Sequence, residues 1–374
     1  MSQTFPLDID ALLRVLNYLN LGVYVTDLDR RIMLWNKKAE EITGYVASNV
    51  VGHCCRDNIL CHTDKDGQVL CPTHLCPLYR AMISGHESKE PVLVFAKKAA
   101  GGRVALTVSV APLKDESGAI VGGIEVFRDE TERIHDLEFA QKIQRHLLPR
   151  RLPSTGKLRF DARYYPHDLV GGDFYDVTDL GGGRFGVLVA DVRGHGVSAS
   201  LYTMVLKTIK ESLASRAGEP AQFLAGLNRE LSHLVVSESF ATAAYAVVDT
   251  ASWQVAYSSA GQPPALHYRA AERSASEVLA EGLPLGIDSN EEYEVAEFHL
   301  EPGDLALYFT DGITDIRDRS GKAISAAGLA ELLSDEMARP GEDLLERVYR
   351  RAVAANADIS ISDDVLLLSI ERTK

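Results

Sequence analysis

Two groups of strands and helices are predicted from the spacing of apolar and polar residues along the chain. In the first group, strands over 21–27 and 31–35 lead to Asn36, a typical helix-capping residue, and to a short helix that ends at Gly44. Three more strands follow a variable middle region and are predicted near 92–96, 103–112 and 119–127. This order of elements predicts a small α+β domain over residues 9–130.

The segment after this domain is predicted to form one amphipathic helix over 129–148. Its apolar residues recur at helical spacing, and prolines end it; the stripe consists of Ile134, Leu137, Ala140, Ile143 and Leu147. The stripe is close to a heptad repeat, interrupted by Gln141 and Gln144. We therefore interpret residues 131–150 as a linker that pairs with a second copy in a two-stranded parallel coiled coil, which gives a homodimer. Packing of the helix on its own domain is the alternative.

In the C-terminal part, apolar strands lie next to acidic residues. Runs at 185–190 and 305–309 end at Asp191 and Asp311, and a run at 365–370 follows a pair of aspartates. Strand ends bring distant residues to one edge of a fold, so these acids are expected to meet. A helix over 197–214 is predicted to pack through Leu201, Met204, Val205 and Ile209, and residues 270–276 are interpreted as a polar surface loop.

Each acid lies in a short motif of its own. The motifs are Gly-Gly-Asp-Phe-Tyr-Asp around Asp173, Asp-Val-Arg-Gly-His-Gly from Asp191, Thr-Asp-Gly around Asp311, and the pair Asp363-Asp364. Carboxylates held close together repel and raise one another's pKa unless a cation lies between them. Ligands that are oxygen alone favour a hard ion, Mg²⁺ or Mn²⁺, over zinc.

In this order and spacing, the motifs resemble the SpoIIE/RsbU-like branch of the PPM metal-dependent serine/threonine protein phosphatases. The resemblance covers about residues 137–374 and includes Ile-Gln-Arg-His-Leu-Leu-Pro at 143–149, Ala-Gly-Gln-Pro-Pro at 260–264 and Leu-Pro-Leu-Gly at 283–286. It implies an α/β/β/α β-sandwich over residues 151–374 with two Mn²⁺ or Mg²⁺ ions at one end. Leu366 departs from the pattern, because the branch usually carries threonine there.

The resemblance also implies a role for each principal acid. Asp191 would bridge both ions, and the backbone carbonyl of Val192 would contact one of them. Asp173 would serve the second ion, directly or through water, and Asp311 and Asp363 would hold the first.

Three further residues of the motifs are expected to support these ligands. Asp176 and Asp364 are candidates for orienting a ligand or a water from behind. His195 is interpreted as a residue that shapes its loop, with proton donation to the leaving serine oxygen as the alternative.

The implied reaction is hydrolysis of a phosphoserine or phosphothreonine ester. A water held between two divalent ions attacks phosphorus in line, while the ions neutralise the developing charge. No cysteine follows Cys76, which excludes a cysteine nucleophile in the C-terminal domain. The resemblance further implies a STAS-domain anti-anti-sigma factor as substrate, in a partner-switching pathway that controls a sigma factor. A non-catalytic scaffold and a phosphatase of small metabolites are the alternatives.

The N-terminal order of elements resembles a PAS sensor domain, which contains all five cysteines. These are Cys54, Cys55, Cys61, Cys71 and Cys76, interleaved with His53, His62 and His74. Clustered thiols suggest metal or redox chemistry, although the spacing matches no standard zinc ribbon. A metal, iron–sulfur or redox-sensing site and ordinary thiols therefore remain open, as do heme or flavin as ligands of the PAS cavity.

Net charge and the length of apolar runs limit the classes of partner and the cellular location that we expect. The net charge of −14 over 374 residues argues against nucleic acid, whose phosphates are met by basic surfaces. No apolar run reaches the ~18 residues of a membrane span, and no signal-peptide pattern opens the chain. We expect a cytoplasmic protein that has no membrane-spanning segment.

Overall fold

The computed structural model describes residues 9–57, 59–65, 67–71, 75–194, 196–234, 240–317, 321–339, 341–354 and 363–373. The chain divides into two compact units, Met1–Asp136 and Leu137–Lys374. Within the described ranges, no helix is both long enough and apolar enough to cross a bilayer.

The first unit is built on a five-stranded antiparallel sheet with helices beside it. The strand order is β2-β1-β5-β4-β3. Its elements are α1 (Ile9–Tyr18), β1 (Gly22–Asp27), β2 (Ile32–Trp35), α2 (Lys37–Thr43), α3 (Ala47–Val50), α4 (Pro77–Ser84), β3 (Val92–Lys97), β4 (Arg103–Lys114) and β5 (Ile120–Asp129). The strands and the helix predicted from the sequence are all present.

Asn36 acts as the helix cap that its side-chain type predicts, and it joins helix α2 to strand β1. Its Oδ1 accepts from the backbone N–H of Ala39, which caps α2, and from that of Val23 on β1, both at 2.9 Å. Gly44 ends α2 with a left-handed φ of 78°, a conformation that glycine adopts without strain.

Helix α5 (Thr131–Leu147) follows β5 and is the predicted linker helix. Ile134 is buried, but Ile143 is 39% exposed, and the larger Phe139 one turn before it is 66% exposed. By contrast, Gln144 is buried. The apolar stripe of the sequence is therefore split between covered and uncovered positions.

The second unit is a sandwich of two five-stranded antiparallel sheets. The strand orders are β13-β10-β9-β8-β7 and β12-β11-β14-β15-β6. The strands are β6 (Leu158–Tyr165), β7 (Asp173–Gly181), β8 (Arg184–Val192), β9 (Ala241–Asp249), β10 (Gln254–Ala260), β11 (Ala265–Arg269), β12 (Ser274–Val278), β13 (Ala296–His299), β14 (Leu305–Phe309) and β15 (Val365–Arg372).

Helices cover both outer faces of this sandwich. They are α6 (Val197–Ser212), α7 (Pro220–Leu234), α8 (Asp311–Thr314), α9 (Ser325–Met337) and α10 (Leu344–Ala354). One apolar core lies between the sheets, a second beneath α6 and α7, and a third beneath α8, α9 and α10. The predicted α/β/β/α architecture and the α+β class are confirmed.

Two local predictions were wrong in part. The buried face of helix α6 consists of Ala199, Ser200, Thr203, Leu206 and Ile209, whereas Leu201 is 53% exposed. Of the four residues predicted for the packed face, only Ile209 is fully buried. The predicted surface loop over 270–276 overlaps β12, because its small polar residues pair with β11 at the edge of the sheet.

Candidate active site

Four elements of the second unit bring the predicted acids together. Asp173 on β7 lies opposite Asp191 on β8 in the antiparallel register. Asp311 begins α8 directly after β14, and Asp363 precedes β15, which pairs with β14. The charges of Asp311 and Asp363 both act on Asp191. Asp173 and Asp191 are therefore cross-strand neighbours, and Asp311 and Asp363 lie next to the ends of two paired strands of the other sheet.

The electrostatics of this cluster are those of buried, mutually repelling carboxylates. Burial, and then the charges of Asp311, Asp363 and Asp364, raise the pKa of Asp191 to about 7. Burial and the charge of Asp191 raise the pKa of Asp173 well above its ordinary value. Oδ1 of Asp173 is buried and has no hydrogen-bond partner among the described residues. A cation bound here would relieve both the repulsion and the unpaired oxygen.

Asp364 has a different task from the other acids. Its Oδ1 accepts from the backbone N–H of His167 at 2.7 Å, and its Oδ2 accepts from that of Gly172 at 2.6 Å. The side chain thus ties the segment before Asp173 to the start of β15. This is the geometry of a residue that positions a ligand from behind.

The glycines beside the acids leave room for this close packing. A Cβ on Gly171 would overlap with the Asp364 carboxylate, and one on Gly312 would overlap with the Asp364 backbone carbonyl. A Cβ on Gly172 would come within 2.7 Å of the Val192 carbonyl oxygen. The motifs therefore need glycine because the backbone and the acid pair approach within contact.

Thr310 connects two of the acidic segments, a role that its sequence motif did not predict. Its hydroxyl donates to Oδ2 of Asp173 at 2.7 Å and accepts from the backbone N–H of Leu366 at 3.0 Å. Tyr164 was also missed. Its buried hydroxyl has no partner in the described part of the chain, and burial together with the charge of Asp364 raises its pKa.

Gln144 of α5 contacts the same loop from the other side. Its Nε2 donates to the Gly171 carbonyl at 2.6 Å, and its Oε1 accepts from the Gly171 N–H at 3.2 Å. Lys207 of α6 donates to the carbonyl of Leu147 at the end of α5 at 2.8 Å. The polar residue that interrupts the heptad pattern is therefore an anchor for the backbone two residues before Asp173.

The remaining predicted residues are placed elsewhere. Asp176 is on the opposite face of β7 from Asp173, because side chains alternate along a strand. There it pairs with Lys210 of α6, so it is not grouped with the other acids. His195 lies outside the described residues.

The donor set fits a hard divalent cation, since it consists of carboxylate oxygens and the Val192 carbonyl. Even so, no group of three or more His, Cys, Asp or Glu side chains within the described ranges is arranged so that it could hold a metal ion. Cations between these carboxylates would offset their mutual repulsion. Asp173, Asp191, Asp311 and Asp363 are the residues that would hold the ions.

The cysteines of the first unit fall into two classes. Cys55, Cys71 and Cys76 belong to its apolar core, and His62 is buried beside them. Cys54 and Cys61 lie outside that cluster, and His74 is outside the described residues. All five thiols are free.

Comparisons with known proteins agree with both units. Residues 181–373 match the sequence profile of the family described as Stage II sporulation protein E (SpoIIE), and residues 16–135 match the PAS fold. Over 238 residues the chain is 29% identical to "Phosphoserine phosphatase RsbU" of Bacillus subtilis (strain 168), which covers 63% of this chain and 70% of that protein.

A second relative and a solved structure extend the comparison. "Phosphoserine phosphatase RsbP" of Bacillus subtilis (strain 168) is 29% identical over 229 residues, 59% of this chain and 53% of RsbP, so the chain spans about half of that relative. The SiaA-PP2C domain of Pseudomonas aeruginosa has a TM-score of 0.56 at 24% identity, and the match covers 64% of this chain and 96% of that domain. That likeness shows the fold.

Proposed function

This chain belongs to the Stage II sporulation protein E family and is a serine/threonine protein phosphatase, and we propose that its PAS unit regulates this activity and that its substrate is a phosphorylated STAS-domain protein. Phosphatases of the PPM family are metal-dependent. The observation that supports a catalytic role most directly is the grouping of Asp173, Asp191, Asp311 and Asp363, none of which forms an ion pair with a basic side chain within the described ranges.

The acids of this chain would hold two divalent cations, Mn²⁺ or Mg²⁺. When bound, such ions activate a water and offset the charge that develops on a phosphoryl group. Asp191 would bridge the pair, Asp173 would serve one ion, and Asp311 and Asp363 the other. Asp364 and Thr310 position these groups through the hydrogen bonds to Gly172 and Asp173. Tyr164 adds a buried hydroxyl that can orient water in the site.

Regulation is supported by the contact between α5 and the active-site loop. Gln144 binds both polar groups of the Gly171 peptide, and Lys207 holds the end of the same helix. A rotation or shift of α5 would therefore move the backbone that leads to Asp173. This is a route by which a sensor signal could bias the site between two states.

We also propose that α5 pairs with its copy to form a homodimer. Phe139 and Ile143 lie one turn apart and are uncovered, and an uncovered apolar pair on a helix is suited to a partner helix. In light scattering, Phe139→Glu should convert a dimer to a monomer, whereas Glu138→Ala on the exposed polar side should not. Equal masses for both variants would contradict pairing through α5.

The substrate class rests on the relatives and on the family resemblance. RsbU and RsbP are each named phosphoserine phosphatases. A STAS-domain anti-anti-sigma factor is the small phosphoprotein that this branch of the family implies, in a partner-switching pathway. A cytoplasmic location belongs to the same proposal, because the sigma factors controlled in this way act there.

The decisive experiment is phosphate release from a phosphorylated STAS-domain protein with Mn²⁺, with Mg²⁺ and with a chelator. Asp191→Asn keeps the shape of the side chain and removes its charge, so it should abolish metal-dependent release. Asp179→Asn, an exposed change on the neighbouring strand β7, should leave release intact.

Two results would favour the alternatives. A p-nitrophenyl phosphate rate equal to or above the phosphoprotein rate would indicate a phosphatase of small molecules. Absence of release with either metal, in a protein that binds the phosphorylated partner, would indicate a non-catalytic scaffold.

A further inference from the structure

Among the five cysteines of the first unit, two have sulfurs in direct contact. The Sγ atoms of Cys71 and Cys76 are 3.8 Å apart, and both side chains are buried. The thiols of Cys54 and Cys61 instead donate to backbone carbonyls, those of Asp29 at 3.5 Å and Arg56 at 3.4 Å. The contact singles out one pair from the cluster.

Cys76 occupies a position that favours its thiolate. It is the N-cap of α4, with proline at the first helical position. The Cys71 thiol donates to its sulfur, and the backbone N–H groups of Tyr79 and Leu78 and the charge of Arg30 add to this effect, so the pKa of Cys76 is lowered although burial opposes the shift. A thiolate is the form of cysteine that reacts with oxidants.

The core around this pair contains polar atoms that nothing in the described chain satisfies. Neither carboxylate oxygen of the fully buried Glu125 has a hydrogen-bond partner there, and neither does Nε2 of His62, which lies 3.6 Å from that carboxylate. Burial and the charge of Cys76 raise the pKa of Glu125 to about 8. Buried donors and acceptors without a partner in the chain are ordinarily satisfied by ordered water.

We propose that Cys71 and Cys76 form a reversible disulfide, which makes the PAS unit a thiol-redox sensor. With hydrogen peroxide as oxidant, the Cys76 thiolate attacks one oxygen, the O–O bond breaks, and Cys76 becomes a sulfenic acid as hydroxide leaves and is protonated to water. The Cys71 sulfur then attacks the Cys76 sulfur, and a second water leaves. In sum, two thiols and one peroxide give one disulfide and two waters.

Formation of this bond would move the start of α4. The sulfurs must approach from 3.8 Å to about 2.05 Å. Leu78 and Met82 of α4 pack against Gly123 of β5, where a side chain would overlap with both. Strand β5 runs directly into α5, so a shift of α4 acts on the strand from which the linker helix starts.

A metal is the competing explanation for two adjacent thiols. Two thiolates on one tetrahedral zinc, each at about 2.3 Å from the ion, also lie close to the observed separation. A third ligand is required for such a site, and no set of three suitable side chains is found within the described ranges. The 3.8 Å contact between the two sulfurs favours the disulfide, and metal analysis of the purified protein decides between the two explanations.

The test uses the full chain and needs no activity assay. The reduced protein is exposed to hydrogen peroxide, its remaining thiols are alkylated after denaturation, and its mass is measured. We expect five labels before oxidation and three after it. The tryptic peptide of residues 66–80, which contains both cysteines, should lose two hydrogens and regain them with dithiothreitol.

Variants and metal analysis complete the design. Cys71→Ser and Cys76→Ser should each abolish the loss of two hydrogens, whereas Cys61→Ser should retain it. Two outcomes would overturn the proposal. One is a wild-type peptide map in which the thiols that oxidation protects from alkylation are Cys54, Cys55 or Cys61. The other is one equivalent of zinc or iron in the purified protein that is lost when Cys71 or Cys76 is replaced.

Discussion

Replacing Asp191 with asparagine should remove a pH-dependent instability from the metal-free protein. Asp191 is held among other acids, and its pKa is raised to about 7. A carboxyl whose pKa is higher in the folded chain than in the unfolded chain stabilises the fold while it is protonated. That contribution is complete below the ordinary pKa of ~3.9 and is lost as the pH rises through about 7.

The size of the effect follows from the shift. Each pKa unit corresponds to ~1.4 kcal/mol, so a rise of ~3 units is worth ~4 kcal/mol over the whole range. Between about pH 5 and pH 7.5 the expected loss of unfolding free energy is on the order of 2 kcal/mol. Asparagine cannot ionise, so the variant should lack most of this loss.

Urea unfolding of the full chain in chelator, at both pH values, measures this difference. The advantage of Asp191→Asn over the wild type should be greater near pH 7.5 than near pH 5 by on the order of 2 kcal/mol, and Asp179→Asn should follow the wild type at both. Added Mn²⁺ should reverse the order, because only the wild type retains the bridging charge. An equal pH dependence in wild type and Asp191→Asn would refute the view that this carboxyl is buried among like charges.

Three other substitutions test separate contacts. Gly312→Ala should destabilise the fold by more than ~3 kcal/mol in thermal or urea unfolding, because its Cβ would overlap with a backbone carbonyl; Gly156→Ala, in open space, is the control and should be nearly neutral. Thr310→Val should cost ~1–3 kcal/mol and weaken Mn²⁺ binding in calorimetry, because it removes the hydrogen bond to Asp173; unchanged affinity would contradict its positioning role. Gln144→Leu should lower kcat for phosphate release with little change in KM, and a loss of stability with unchanged kcat would mean that the contact is only structural.

The sequence predicted the structure best where the type of a residue and its immediate neighbours determine its role. Strands that end in acids, with glycine beside them, predicted the meeting of Asp173, Asp191 and Asp311, whereas the sandwich was implied by the resemblance of the motifs to the PPM phosphatases. The reason is physical: a carboxylate next to a glycine at a buried strand end has few roles other than binding a ligand. The cap at Asn36 was predictable for a similar reason, since its side chain acts on its own turn.

What the sequence could not supply depends on partners distant in the chain. In the sequence, Gln144 only interrupts a heptad pattern. Nothing near it in the chain indicates that its side chain hydrogen-bonds to the peptide of Gly171. At the start of helix α6 the sequence pointed to Leu201, because nothing local shows that the close approach to the active-site loop favours Ala199 and Ser200. Glu125 was missed because a single acid within a strand is ordinarily on a solvated face.

The strand order of the second sheet determines when a chain that is still being synthesised can complete this unit. Strand β6, the earliest of its unit, joins that sheet through β15, the last of the described strands. Residues 363 and 364 complete the acidic cluster just before β15. A nascent chain on the ribosome therefore has all of α5, α6 and the first three acids outside the exit tunnel before it can close the sheet, which also requires residues 365–372.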